Sequence, residues 1–271
     1  MKTLFTSILT GCMLLFFAKI NAQEFTEPSE ELLLEEVDAT PIPVKQHVFK
    51  LNVPSLAVAT FSLQYEFFPM NWLSLNLGYK FTPNRGMVAK DKVIDIIDDS
   101  NSGKGLTNPF QKFFEDFEFK GNAVTPEIRF YLGEGYGKGF YLGPFARIDH
   151  YKFTSAYAFR TLSENYTIDF EGKHKAFGYG LNIGAQFPIG QHFTIDTFIG
   201  PYLSNVKIDF HSTSNYQLTD QEVELFREEL NEFQLPNGTT DIVLSNSSAQ
   251  AKLTADQFFN LRVGLAVGYR F

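Results

Sequence analysis

Residues 261–271 alternate without a break. Leu261, Val263, Leu265, Val267, Tyr269 and Phe271 share one face, and Arg262, Gly264, Ala266, Gly268 and Arg270 share the other. Successive side chains of a strand point to opposite faces, so one face of this segment meets an apolar medium and the other a polar or crowded one. A strand of this kind belongs in a sheet with one greasy side.

The same two-residue period recurs upstream. Apolar positions alternate with polar or small ones over Phe49–Val53, Phe61–Phe67, Leu73–Phe81, Val124–Leu132, Phe140–Ile148, Phe177–Phe187 and Phe193–Leu203. Together with the last segment these predict an all-β chain, an eight-stranded antiparallel transmembrane β-barrel. The links after strands two, four and six are short and those after three, five and seven are longer, with inserts over about 82–121 and 205–257. Transmembrane barrels show this asymmetry, with short periplasmic turns and long extracellular loops, and an even strand count returns both ends to one side.

The inserts are expected to be partly helical. Asn108-Pro109 precedes Phe110, Phe113, Phe114 and Phe117 at helical spacing, and Thr219 with Glu222 forms a capping box before Val223, Phe226, Leu230 and Phe233. Pro126, Pro144 and Pro201 lie within predicted strands and lack the amide a closed sheet would use, so bulges are expected there.

Facing follows from cost. An Arg or Lys turned toward the bilayer midplane costs about 2–4 kcal/mol. Lys50, Glu66, Lys80, Glu127, Arg129, Arg147, Asp149, Asp196, Arg262 and Arg270 all fall opposite the apolar stripes and are predicted to form a charge network in the lumen. An eight-stranded barrel is just wide enough for its own side chains to fill it, and enclosed charges need partners. A soluble lipocalin-like barrel would invert the two faces and leave the phenylalanines in water. Trp72, Tyr65, Tyr79 and Tyr269 sit near strand ends, where interfacial girdles lie.

The first residues give a location. Met1–Ala22 has a basic start at Lys2, an apolar run and a small-residue end, the pattern of a removable signal peptide. Leu9-Thr10-Gly11-Cys12 also spells a lipoprotein processing box, but the stronger apolar run, Met13–Ala18, follows it. Residues 23–46 are acidic and aperiodic and are read as a periplasmic arm, leaving 47–271 as the barrel. Cys12 is the only cysteine and leaves with the signal, which excludes disulfides, thiolate metal sites and cysteine nucleophiles from the exported chain. A balance of 23 basic against 31 acidic residues, made more acidic by loss of Lys2 and Lys19, argues against nucleic acid as a partner.

Catalytic patterns are thin. His47, His150, His174, His192 and His211 are dispersed, with none paired at metal-ligand spacing. Small lipid-modifying barrels use a His and a Ser beside the outer leaflet, and His150 with Ser155 is the only such pair to nominate. Glu127 and Asp149 could form an acid/base pair, but neighbouring arginines make them ion-pair members first.

The stretch Val124-Thr125-Pro126-Glu127-Ile128-Arg129-Phe130-Tyr131-Leu132-Gly133, continuing through Gly135-Tyr136-Gly137-Lys138-Gly139-Phe140-Tyr141, resembles a Bacteroidetes outer-membrane barrel family catalogued as a domain of unknown function. Ser62-Leu63-Gln64-Tyr65-Glu66 and residues 264–271 are similar to it as well. The resemblance runs over roughly 48–271 and implies fold and location, with no established activity to carry over. It also implies that Tyr269 and Phe271 serve as the signal read by the barrel-insertion machinery. The expectation is a monomeric, non-enzymatic barrel in the outer membrane of a Gram-negative bacterium. It would have no cofactor or metal, outer-membrane lipids around it, an unidentified extracellular partner, and a surface-interaction or envelope-integrity role with a side-chain-filled lumen. A narrow channel for small solutes and a lipid-modifying enzyme are the alternatives.

Overall fold

The computed structural model describes residues 45–86, 116–133, 135–160, 165–231 and 237–271. The expected signal peptide and nearly all of the acidic arm lie outside them, as does all but the C-terminal end of the helix expected over 108–117.

Nine strands are present among the described residues: β1 (His47–Asn52), β2 (Phe61–Met70), β3 (Leu73–Gly86), β4 (Glu118–Tyr131), β5 (Gly139–Arg160), β6 (Asn165–Ile189), β7 (Phe193–Ser212), β8 (Gly238–Ser245) and β9 (Ser248–Arg270). Eight of them close a ring. Antiparallel pairing runs in order from β1 to β7, then to β9, and β9 returns to β1 through Val48 opposite Arg270 and Leu51 opposite Val267. The ring therefore has the expected number of strands. The ninth, β8, lies within the second expected insert and pairs with the first part of β9.

The wall is uneven in height. A single helical turn, α1 (Val53–Ala57), joins β1 to β2, whereas β5 and β6 pair without a register shift as far as Arg160 opposite Asn165. We call that tall end the upper end. The link after the fifth strand is thus a continuation of two strands and not a long loop. The second insert also shrinks, since β7 runs to Ser212 and β9 begins at Ser248.

The two faces exchange chemistry partway up. On the lower part of β6, Phe177, Tyr179, Leu181, Ile183 and Phe187 are exposed on the outside, and Gly178, Gly180, Asn182, Gly184 and Gln186 face inward. Above Ala176, Asp169, Glu171, Lys173 and Lys175 take the outer face, and Ile168 and Phe170 are buried on the inner one. The outward apolar period of such a strand therefore ends where the sign reverses, although the strand continues.

The inner apolar surface of the tall portion is covered by α2 (Asp220–Asn231). Its N-terminus carries the expected capping box: the Thr219 amide donates to Glu222 Oε2 at 2.9 Å, and the Glu222 amide donates to Thr219 Oγ1 at 3.3 Å. Phe226 and Leu230 then pack into a cluster with Phe153, Tyr157, Ile168, Phe170 and Phe210. Phe233, expected to extend this stripe, lies outside the described residues.

The prolines do not make bulges. Register is continuous across Pro126 and Pro144 between β4 and β5, and across Pro201 between β6 and β7, with ladder positions unmade beside each ring. Each proline directs its missing amide to one seam and keeps its pairing on the other side, Pro126 with Leu77, Pro144 with Leu181 and Pro201 with Leu261. The shifts occur elsewhere, including between Ser204 and Val206 of β7, where Gln257 of β9 takes a φ of 56° and its amide donates to Asn205 Oδ1. That bulge swaps parity along β9: Ala249, Ala251, Leu253 and Ala255 face inward above it, and Gly264, Ala266, Gly268 and Arg270 below.

Candidate functional site in the lumen

The cross-strand register puts the lumen's polar groups at a few heights. Lys50 stands opposite Gln64, Glu66 opposite Asn76, and Asn76 opposite Glu127. Lys50 Nζ lies 2.5 Å from Glu66 Oε2 and 2.7 Å from Asp196 Oδ2. Arg129 reaches Asp196 Oδ2 at 2.7 Å through Nη1 and Glu127 Oε1 at 3.0 Å through Nε. Arg262 Nη1 meets Glu127 Oε2 at 3.1 Å. Three cations thus face three carboxylates, and the side chains of Lys50, Glu66, Arg129 and Asp196 have 0% exposure.

Neutral groups complete the layer. The Tyr131 hydroxyl donates to Glu66 Oε1 at 2.8 Å, and the Tyr141 hydroxyl donates to Asp196 Oδ1 at 2.8 Å. Ser74 donates to Glu66, Lys50 to Gln186, and Asn76 Nδ2 to Glu127 Oε2 at 3.1 Å. The Arg129 guanidinium lies 4.4 Å from the Tyr141 ring centre, and that of Arg262 lies 4.4 Å from Phe198. Inward glycines make room for these rings: a Cβ on Gly184 would overlap Tyr141, and one on Gly264 would overlap Phe198. Alternating large and small side chains is how a small barrel fills.

The remaining predicted lumen charges sit apart from this layer. Arg147 and Asp149 form a two-point pair higher up, with contacts of 2.9 and 2.7 Å. Lys80 has no ion pair among the described residues; it lines a vestibule of about 320 Å³ with Arg147, Arg262, Phe198 and Tyr202. Arg270, at the lower end, donates to the Tyr136 carbonyl and lies 5.7 Å from the Phe68 ring centre. Tyr131, Tyr141, Gln64, Asn76 and Gln186 were missing from the sequence-predicted network. All five stand on the charge-bearing face of their strands, so parity was the available signal.

Parity gives the facing of two further nominated pairs. His150 is exposed on the outer face of β5, and Ser155 is 4% exposed on the inner face, so one strand separates them. Tyr269 and Phe271 both face outward at the lower rim, where Phe271 exchanges backbone hydrogen bonds with His47 and stacks on the rings of His47 and Phe49 at 5.5 and 5.6 Å. Among the described residues, no group of three or more His, Cys, Asp or Glu could hold a metal ion.

Ring closure, an exposed apolar lower wall and a filled polar lumen define the class: a closed antiparallel β-barrel with its polar side inside. The chain belongs to the family described as Protein of unknown function (DUF3575), whose model matches residues 32–228. No curated protein matches the sequence. Among solved structures, the chain is similar to Acinetobacter baumannii CarO at 14% identity, with 85% of this chain and 98% of that one covered and a TM-score of 0.36. It is also similar to the N-terminal β-barrel domain of Pseudomonas aeruginosa OprF at 9% identity, with 84% and 98% covered and a TM-score of 0.25.

Proposed function

We propose that this chain is a monomeric, non-enzymatic barrel of a Gram-negative outer membrane, exported on residues 1–22, with its tall upper sheet at the cell surface. Its role there is attachment or envelope integrity, and its lumen does not conduct. Surrounding lipids and the machinery that reads Tyr269 and Phe271 are its partners.

The exposed wall supports the membrane location. Outward positions from Phe177 to Phe187 span about 33 Å along β6 at ~3.3 Å per residue, or about 25 Å along the axis at a tilt of ~40°. That matches the apolar band of an outer-membrane barrel. Trp72, Phe67 and His47 mark its lower limit, and Lys173 and Lys175 the upper one. The single observation that carries the non-conducting reading is the neutral layer of Lys50, Glu66, Glu127, Arg129, Asp196 and Arg262, most of it sealed from solvent.

Planar-bilayer recording of the purified chain tests this against the channel alternative. The expected trace shows no unitary steps. Steady single-channel steps from the wild-type protein would overturn the closed lumen.

A further inference from the structure

The outer face carries a basic patch directly above the apolar wall. In one cross-strand file, Lys120 of β4 stands opposite Lys152 of β5, which stands opposite Lys173 of β6. In the file below it, His150 stands opposite Lys175, which stands opposite Lys207 of β7. The next file down is already apolar, with Val124 opposite Ile148 and Ile148 opposite Phe177.

Like charges directly opposite each other destabilise a sheet. One acid, Asp209 opposite Lys173, stands in the same file. All five lysines are exposed, and none has an ion pair among the described residues. Acids stand only at the margins, with Asp209 opposite Lys173 and Lys252, and Glu118 and Glu171 one file higher, each opposite Thr154. The chain as a whole is acidic, with a net charge of −8. Lys120, His150, Lys152, Lys173 and Lys175 also border a surface concavity of about 340 Å³ with Phe81 of the apolar wall. At the lower rim, the exposed or half-buried described residues include the rings of His47, Trp72, His192 and Phe271 and the apolar Met70, Leu132 and Ile189, with no file of lysines.

A ligand that suits this surface has anionic groups at the height of the lysines and hydrocarbon below them. We infer that the patch binds the phosphates of a glycolipid of the outer leaflet, with its acyl chains lying along Phe81, Ile148 and Phe177. The inference rests on the membrane reading above, because only there do the lysines meet headgroups. Basic residues near a charged membrane surface bind anionic headgroups additively and within a Debye length, so the lysines act as a group.

The test uses the full chain in neutral detergent, with native mass spectrometry of bound bisphosphorylated lipid A, dephosphorylated lipid A and inorganic phosphate. Heat-modifiable migration on gels monitors folding. Replacing Lys120, Lys152, Lys173 and Lys175 together by Gln should weaken lipid A binding by roughly tenfold or more. Removing the phosphates from the lipid should weaken binding to the same degree, and Arg227→Gln on α2 should leave it unchanged. Equal binding by the fourfold variant, equal binding of dephosphorylated lipid, or competition by inorganic phosphate at the lipid's own concentration would each overturn the assignment. If the folded protein needs detergent yet shows no such discrimination, the patch reading alone fails. A chain that folds and stays soluble without detergent removes the membrane reading as well.

Discussion

Arg129 holds the lumen's charge balance. It contacts Asp196 and Glu127 directly, lies 3.7 Å from Glu66, and is sealed from water. Breaking a buried ion pair by removing one partner costs about 3–5 kcal/mol, because the abandoned carboxylates stay enclosed. Arg129→Ala should lower stability by about that amount, read in micelles from denaturant unfolding followed by the fluorescence of Trp72. Arg147→Ala should cost clearly less, since that pair is 12% and 10% exposed. Equal losses for the two variants would contradict a sealed layer. At this scale the sequence showed which charges share the lumen, because parity is exact along a strand. It did not show that six of them form a neutral group while Lys80 and Arg270 stand apart, because partner choice depends on register between strands distant in the chain. Parity puts Tyr131 and Tyr141 on the lumen face, but that their hydroxyls donate to Glu66 and Asp196 depends on the same register.

The strands of the upper sheet are hidden in the sequence chiefly by a reversal of their faces. Strands announced themselves where apolar residues pointed outward, as in β2, β3 and the lower part of β6. Above Ala176 the inner face becomes the apolar one, so Phe153, Tyr157, Phe170 and Phe210 read as loss of pattern although the strands continue. Gln257 adds a second obstacle, since its bulge swaps parity within β9. The helix α2 was legible because Thr219 and Glu222 make a local, reciprocal cap that needs no tertiary information. Its function as a cover for the upper sheet was visible only once that sheet existed. Phe226, 1% exposed and with its ring tilted against those of Tyr157 and Phe170, anchors this cover. Phe226→Ala should cost about 3–5 kcal/mol locally. Limited proteolysis should then cut readily between residues 212 and 248, while heat-modifiability of the barrel stays at the wild-type temperature. A matching drop in the barrel's own transition would show that the upper sheet and the ring unfold as one unit.

For the whole molecule, one partition organises the rest: apolar side chains outside over a belt, charge inside, and the reverse above the belt. Closure of the ring removes the exposed strand edges that such a sheet would otherwise present, and the neutral layer lets an acidic chain enclose charge without an excess of either sign. The basic files of β4–β7 sit where the belt ends, and the covered upper sheet begins at the same level. The most direct measurement of this partition places nitroxide labels, one at a time, along the outer face of β6 at residues 171, 173, 175, 177, 179, 181 and 183, in a Cys12→Ser background reconstituted in lipid vesicles. The expected record is a switch between Lys175 and Phe177, from collisions with a water-soluble nickel reagent above to collisions with dissolved oxygen below. Uniform access of the nickel reagent from residue 171 through 183 would contradict it.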